Sequence, residues 1–275
     1  MNSVLSIKVK PGELYDKYTR FQSFKDRVKI EFLNTVFLKD LNLKIYNGVI
    51  PPNINSIAFK KNIEKVIRKP RENISLAPKT FRKLDLDYYS SFQRELFYYS
   101  IVNSIKLILR ARKKSIQTSP ILVYDGADPI NRGIISVLSM SCQYLILLSK
   151  DIKRTRAIQE YIISNYGVTP IVTNDVNFAL EEADFIISSK DICLKEDKYI
   201  WVLDKSYNKA SNGIYINDVS YCVPWKMNEE ENRSTISLEL LGAILGQMEE
   251  KSIYLSLKKN QVFLDNILFN DKIID

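Results

Sequence analysis

The stretch from Ile121 to Ser189 leaves few folds open. Ile121-Leu122-Val123-Tyr124-Asp125 is an apolar run of strand length, and it enters a turn-rich segment, Gly126-Ala127-Asp128-Pro129-Ile130-Asn131-Arg132-Gly133. Short apolar runs bounded by turn signals suit strands buried on both faces, as in a parallel sheet. Helical spacing follows over 129–141, then a second apolar strand from Tyr144 to Ser149. The alternation continues with a helix over 152–165, a strand over 170–173, a short helix over 175–182, and strands over 185–189, 199–204 and 214–217. Strands separated by helical patterns predict a parallel sheet with right-handed crossovers. A glycine-bearing turn between first strand and first helix is what a dinucleotide site requires.

The segment before this alternation is less regular. Val4 to Lys10 reads as a strand, Val28 to Ile45 as one or two more, and 49–53 as a turn. Ile57 to Lys69 has helical spacing and stops before Pro70, whereas Asn73 to Lys79 reads as a loop. Ser90 opens a long helix to about Lys114, and Ser90-x-x-Gln93 fits a capping box. A last helix is expected over about Ser234 to Glu250, packing back across the two lobes. The fold expected is therefore α/β. A smaller α+β amino-terminal domain (1–115) precedes a Rossmann-like domain (116–275), a parallel sheet with helices on both faces.

Composition narrows the chemistry. With 275 residues, 45% of them apolar, the chain can bury a core of full size. It has no histidine, so proton transfer falls to Lys, Asp, Glu, Tyr or Cys. Cys142, Cys193 and Cys222 are far apart and form no CxxC pair, which argues against a zinc site or a disulfide framework. The net charge of +8 is spread among acidic residues, which argues against a dedicated nucleic-acid surface. The longest uncharged run, between Arg132 and Lys150, is shorter than a bilayer span, so no membrane association is expected. The first residues lack a basic region followed by an apolar core, and a cytoplasmic location is expected. A homo-oligomer is compatible with all of this.

The turn after the first strand is a divergent phosphate loop. Gly126 is expected to supply a turn that a side chain would block, and Gly133 to allow close packing of helix on strand. Asp128-Pro129 reads as an N-cap followed by proline in the first helical position. Asp128 also stands where a pyrophosphate would need free N–H groups, and Arg132, one turn into the helix, offsets its charge. At the second strand end, Ser149 and Lys150 replace the acid that would bind the ribose of NAD, and so suit the 2′-phosphate of NADP.

Residues 119–208 resemble shikimate dehydrogenase and its relatives, including the nucleotide domain of glutamyl-tRNA reductase. Segment 149–160 is similar to that family's Asn-Arg-Thr-x-x-Arg-Ala, with Ser149 and Lys150 standing where the family grips the NADP phosphate. Ala183 to Ser189, which includes Ser188, resembles its Ala-Asp-Ile-Val-Ile-Asn-Ala strand. Val202 to Asn208 resembles its Val-x-Asp-x-x-Tyr-x-Pro, which makes Asp204 and Tyr207 candidates to orient a substrate. Asn73 to Lys79 is similar to Asn-Val-Thr-x-Pro-x-Lys, and by that resemblance Lys79 would be the catalytic lysine. The family's Asn-Thr-Asp-x-x-Gly and its amino-terminal serine pair have no counterpart here. Two readings follow from the resemblance. One is an NAD(P)-dependent oxidoreductase acting on a small substrate. The other is a catalytically degenerate Rossmann-like module that binds a nucleotide, another ligand or a protein partner.

Overall fold

The computed structural model describes residues 2–68, 74–190, 192, 197–204, 212–227 and 234–274. Two compact units divide the chain: Met1–Leu96 with Ser220–Asp265, and Phe97–Val219 with Asn266–Asp275. The two-segment division expected from the sequence is thus replaced by one in which 220–265 belongs with the amino-terminal unit.

The first unit begins with β1 (Asn2–Val9), α1 (Arg20–Val28), β2 (Glu31–Phe32), β3 (Val36–Leu38), β4 (Leu43–Ile50), α2 (Ser56–Ile67), β5 (Ser75–Lys79) and α3 (Arg82–Asp85). Its sheet has the order β2-β4-β1-β5, with β3 also on β4. β1 runs parallel to β4 and β5. Leu5, Ile7, Ile50, Phe59, Ile63, Val66 and Phe81 form the core between this sheet and α2. Asn55 caps α2 by accepting the amides of Ile57 and Ala58, each at 3.2 Å.

One expectation is corrected here, and one helix lies where the sequence reading placed no element. Residues 75–79 are a strand and not a loop, in register with Val4–Lys8 of β1. Pro78 obscured this. β5 lies at the sheet edge, where the missing N–H of proline is tolerated. Residues 20–28 form a helix that the sequence pattern hid, because its apolar residues face outward and its buried residue is Asp26. The Asp26 carboxyl accepts hydrogen bonds from Tyr15 Oη, Gln22 Nε2 and Asn53 Nδ2, all at 2.7 Å. Burial and the neighbouring Asp26 push the Tyr15 hydroxyl up to about 12, which keeps it a donor.

The helix α4 (Ser91–Ala111) carries the chain from one unit into the other. Its start is the expected capping box. Gln93 N donates to Ser90 Oγ at 3.2 Å, and Ser90 N donates to Gln93 Oε1 at 2.9 Å.

The second unit holds β6 (Ile121–Tyr124), α5 (Asn131–Ser139), β7 (Leu145–Leu148), α6 (Ile152–Tyr166), β8 (Ile171–Thr173), α7 (Val176–Glu182), β9 (Phe185–Ser188), β10 (Tyr199–Val202) and β11 (Ile214–Ile216). The order is β11-β10-β9-β6-β7-β8, and every neighbouring pair is parallel. This is the doubly wound order with its reversal between β6 and β9. The predicted strands were legible because both faces of the sheet are covered. β7 and β9 are buried throughout, so each reads as an unbroken apolar run. Trp201 of β10 packs edge-on against Phe97 of α4, and its indole N–H donates to Ser104 Oγ at 2.9 Å. Asp151 caps the start of α6 through the Arg154 amide, and Gly167, at φ 70°, ends it.

The chain then forms β12 (Asp218–Val223), β13 (Ser234–Ser237), α8 (Leu238–Leu245), α9 (Ile253–Lys259), β14 (Phe263–Phe269) and β15 (Lys272–Ile273). The expected helix over 234–250 is corrected. Residues 234–237 pair antiparallel with β12, and the helix starts only after Ser237 accepts the Leu240 amide. All eight residues of α8 are buried. Within the first unit, Glu239 of α8 meets Arg82 Nη2 at 3.1 Å, with both side chains 0% exposed. Gln93 Nε2 adds hydrogen bonds to the carbonyls of Leu76 and Glu239.

Removing one partner of such a pair strands a buried charge. Glu239→Gln and Arg82→Met are each expected to lower unfolding stability by about 3–5 kcal/mol in urea titrations. Losses below about 1 kcal/mol would mean that the pair does not hold α8 in place.

Candidate functional site

In a doubly wound sheet, the crevice at the strand-order reversal lies outside the carboxyl ends of the strands. Here Tyr124 of β6 is in register with Ser188 of β9, so 125–132 and 189–190 converge there. Asp125 is the pivot. It takes φ 60°, a left-handed conformation that aspartate tolerates better than most residues. Its Oδ1 accepts from Ser149 Oγ at 3.2 Å, and its Oδ2 forms an ion pair with Lys190 Nζ. This hydrogen bond and charge hold the Lys190 ammonium above its usual range. Asn131 is buried and bridges the same strand ends, donating from Nδ2 to the carbonyls of Tyr124 and Asp125 and to Ser189 Oγ.

The loop amides are largely satisfied by the chain itself. Gly126 N donates to Leu148 O, Asp128 N to Asp125 O, Asn131 N to Asp128 O and Arg132 N to Pro129 O. Ile130 N donates to Asp128 Oδ1 at 3.1 Å. Asp128 therefore caps a turn, and α5 begins at Asn131, two residues later than the Asp-Pro signal predicted. The Asp128 carboxylate thus takes one backbone donor of this turn for itself.

Both glycines sit where a side chain would be crowded, but the details differ from those expected. Asp125 supplies the positive φ. A Cβ at Gly126 would be a tight fit, 3.1 Å from Leu147 Cβ of β7. Gly133 does permit close packing, but against Tyr98 of α4 and not against a strand; a Cβ there would lie 2.1 Å from Tyr98 Cε2.

Beside the loop, α5 and α6 enclose a cleft of about 250 Å³. Asp128, Arg132 and Arg154 line it over an apolar floor that includes Ile135 and Ile158. The Arg132 guanidinium lies 5.6 Å from the centroid of the Tyr161 ring. The expected residues Asp128 and Arg132 thus share one cleft with Arg154. Ser149 is buried at the end of β7, with its hydroxyl on Asp125 and the Asp151 amide donating to it at 3.2 Å. Lys150, next in the chain, is exposed. Ser188 is buried and hydrogen-bonded to the backbone of Lys190.

Asp204 follows β10 at the carboxyl end of the same sheet, where Leu203 N donates to Ser188 O. Tyr207 lies outside the described residues. Lys79 ends β5 in the other unit, opposite Lys8 in register. Gln247, just past α8, donates to Ala243 O of its own helix. Cys142 is buried, and burial pushes its thiol up to about 12, which disfavours the thiolate.

The strand order of this chain is Rossmann-like by itself. No family model matches the sequence, and no curated protein matches it. Among solved structures, a shikimate dehydrogenase in complex with NADP+ matches at 12% identity and TM-score 0.39, covering 78% of this chain and 84% of that one. A ligand-free 5-ketofructose reductase of Gluconobacter sp. strain CHM43 matches at 8% identity and TM-score 0.38, covering 94% and 99%. A quinate dehydrogenase from Corynebacterium glutamicum in complex with NAD matches at 9% identity and TM-score 0.35, covering 74% and 80%.

Replacing Gly133 with alanine should force α5 away from Tyr98 and lower stability by about 1–3 kcal/mol in denaturant melts. Adding Tyr98→Leu should recover part of that loss. Equal stability of Gly133→Ala and the parent would show that α4 and α5 are not packed as described.

Proposed function

We propose that the second unit binds a nicotinamide dinucleotide, NADP in preference to NAD, and that the chain is an NAD(P)-dependent oxidoreductase acting on a small substrate. The cleft between α5 and α6 is the observation that supports this most. It sets Arg132 and Arg154 over an apolar floor beside the loop that follows the first strand of a doubly wound sheet. A planar guanidinium suits a phosphate, and the exposed Lys150 follows the second strand, where a 2′-phosphate would be read.

The residues fit the adenosine half of such a cofactor better than its pyrophosphate. Arg132 and Arg154 would hold the 2′-phosphate. Lys190 would hold the pyrophosphate, taken by it in exchange for Asp125. When bound, the nicotinamide would supply hydride transfer. In this proposal Asp204 would orient the substrate, and proton transfer falls to a group other than histidine, which the chain lacks.

A second reading has its own support. A loop whose amides are satisfied internally and whose carboxylate already holds the nearest lysine suits a module that has lost dinucleotide chemistry.

Calorimetric titration separates the two. On the first reading NADPH binds more tightly than NADH. Arg154→Ala and Lys150→Ala should each weaken NADPH about tenfold or more, the worth of a charge-assisted contact, and leave NADH little changed. No heat with either nucleotide would remove the oxidoreductase reading and leave the module.

A further inference from the structure

The helix α1 is built inside out. Its one buried residue is Asp26, at 1% exposure, held by Tyr15, Gln22 and Asn53. Its apolar residues point the other way. Phe21, Phe24 and Val28 are 67%, 66% and 70% exposed, and their spacing places them in one stripe. A soluble helix ordinarily turns such a stripe toward the core. Here a buried carboxyl with three donors fixes the opposite orientation, so the outward stripe is a consequence of specific hydrogen bonding and not of loose packing.

Cations surround the stripe. The Lys25 ammonium lies 4.4 Å from the Phe21 ring centroid, and Lys61 of α2 lies 4.7 Å from that of Tyr18. Between α1 and α2 is a cleft of about 330 Å³, lined by Arg27, Lys61, Lys65 and Arg68 with Glu64 as its one acid. Lys65 Nζ donates to the Arg27 carbonyl at 2.9 Å, which fixes one cation of the cleft beside α1.

We propose that α1 and the cleft beside it dock the protein onto an anionic lipid surface, with Phe21, Phe24 and Val28 entering the interface and Arg27, Lys61, Lys65 and Arg68 receiving lipid phosphates. Apolar side chains on one helix face and cations next to them are what an interfacial helix needs. A second copy of the chain is disfavoured as occupant, because it would bring like charge against like charge. A nucleic acid would use the aromatic rings as stacking platforms, but the stripe includes Val28, which offers none. The surface needs no membrane span, and no helix among the described residues is long and apolar enough to cross a bilayer. It is independent of any nucleotide bound by the other unit.

The test is vesicle flotation of the full chain at low and high salt. Vesicles of phosphatidylcholine containing phosphatidylserine should carry the protein, vesicles of phosphatidylcholine alone should carry far less, and high salt should release it. Phe21→Ser with Phe24→Ser should cut binding at least about tenfold at an unchanged melting temperature, since these side chains are exposed. Lys61→Ala with Lys65→Ala should weaken the phosphatidylserine dependence. Absence of binding to either vesicle overturns the proposal, as does binding that the phenylalanine variant leaves intact. It is also overturned by a dimer in sedimentation velocity that the same variant dissolves, or by single-stranded oligonucleotides binding at α1 where vesicles do not.

Discussion

One carboxyl group ties together the ends of three strands. Asp125 follows β6, receives the hydroxyl of Ser149 at the end of β7, and pairs with Lys190 just beyond β9. Its own carbonyl accepts the Asn131 side chain and the Asp128 amide, which fixes where α5 begins. Strand ends in a doubly wound sheet carry backbone groups that must be satisfied where the chain turns away. In a glycine-rich loop those groups are left for a ligand. Here the side chains of Asp128, Asn131, Ser149 and Ser188 take several of them. The consequence is a switch-point crevice held by the chain's own polar groups, next to a cleft lined by two arginines.

The two functional readings differ in what they require of this knot. A bound dinucleotide needs its phosphates to displace Asp125 from Lys190, and the affinity is reduced by whatever that exchange costs. A module without dinucleotide chemistry needs the knot only as a fastening. The exposed position of Lys190, 59% accessible at its side chain, keeps the ion pair open to competition from solvent anions.

The doubly wound sheet was legible in the sequence for a simple reason. Strands buried on both faces become continuous apolar runs, and caps such as Asp151 and the Ser90–Gln93 box act within four residues of chain. What escaped was set by partners distant in sequence. Residues 75–79 form a strand because β1 pairs with them, despite Pro78. The polar side of α1 is buried because Asn53 and Tyr15 reach Asp26. α8 starts late because 234–237 join β12. At the end of β6, Asp128 and Arg132, named from the sequence, line one cleft, while the positive φ expected at the Gly126 turn falls one residue earlier. The turn belongs to Asp125, and Lys190 and Arg154 join the site only through the three-dimensional arrangement. No local spacing announces Lys190.

The knot at Asp125 can be read directly from the titration of Lys190, followed through its side-chain carbon resonances in the parent and in Asp125→Asn. Asparagine keeps the left-handed backbone and removes the charge. The account predicts a Lys190 ammonium that titrates above the ordinary lysine range in the parent and falls back to it in the variant. The same midpoint in both proteins would contradict it.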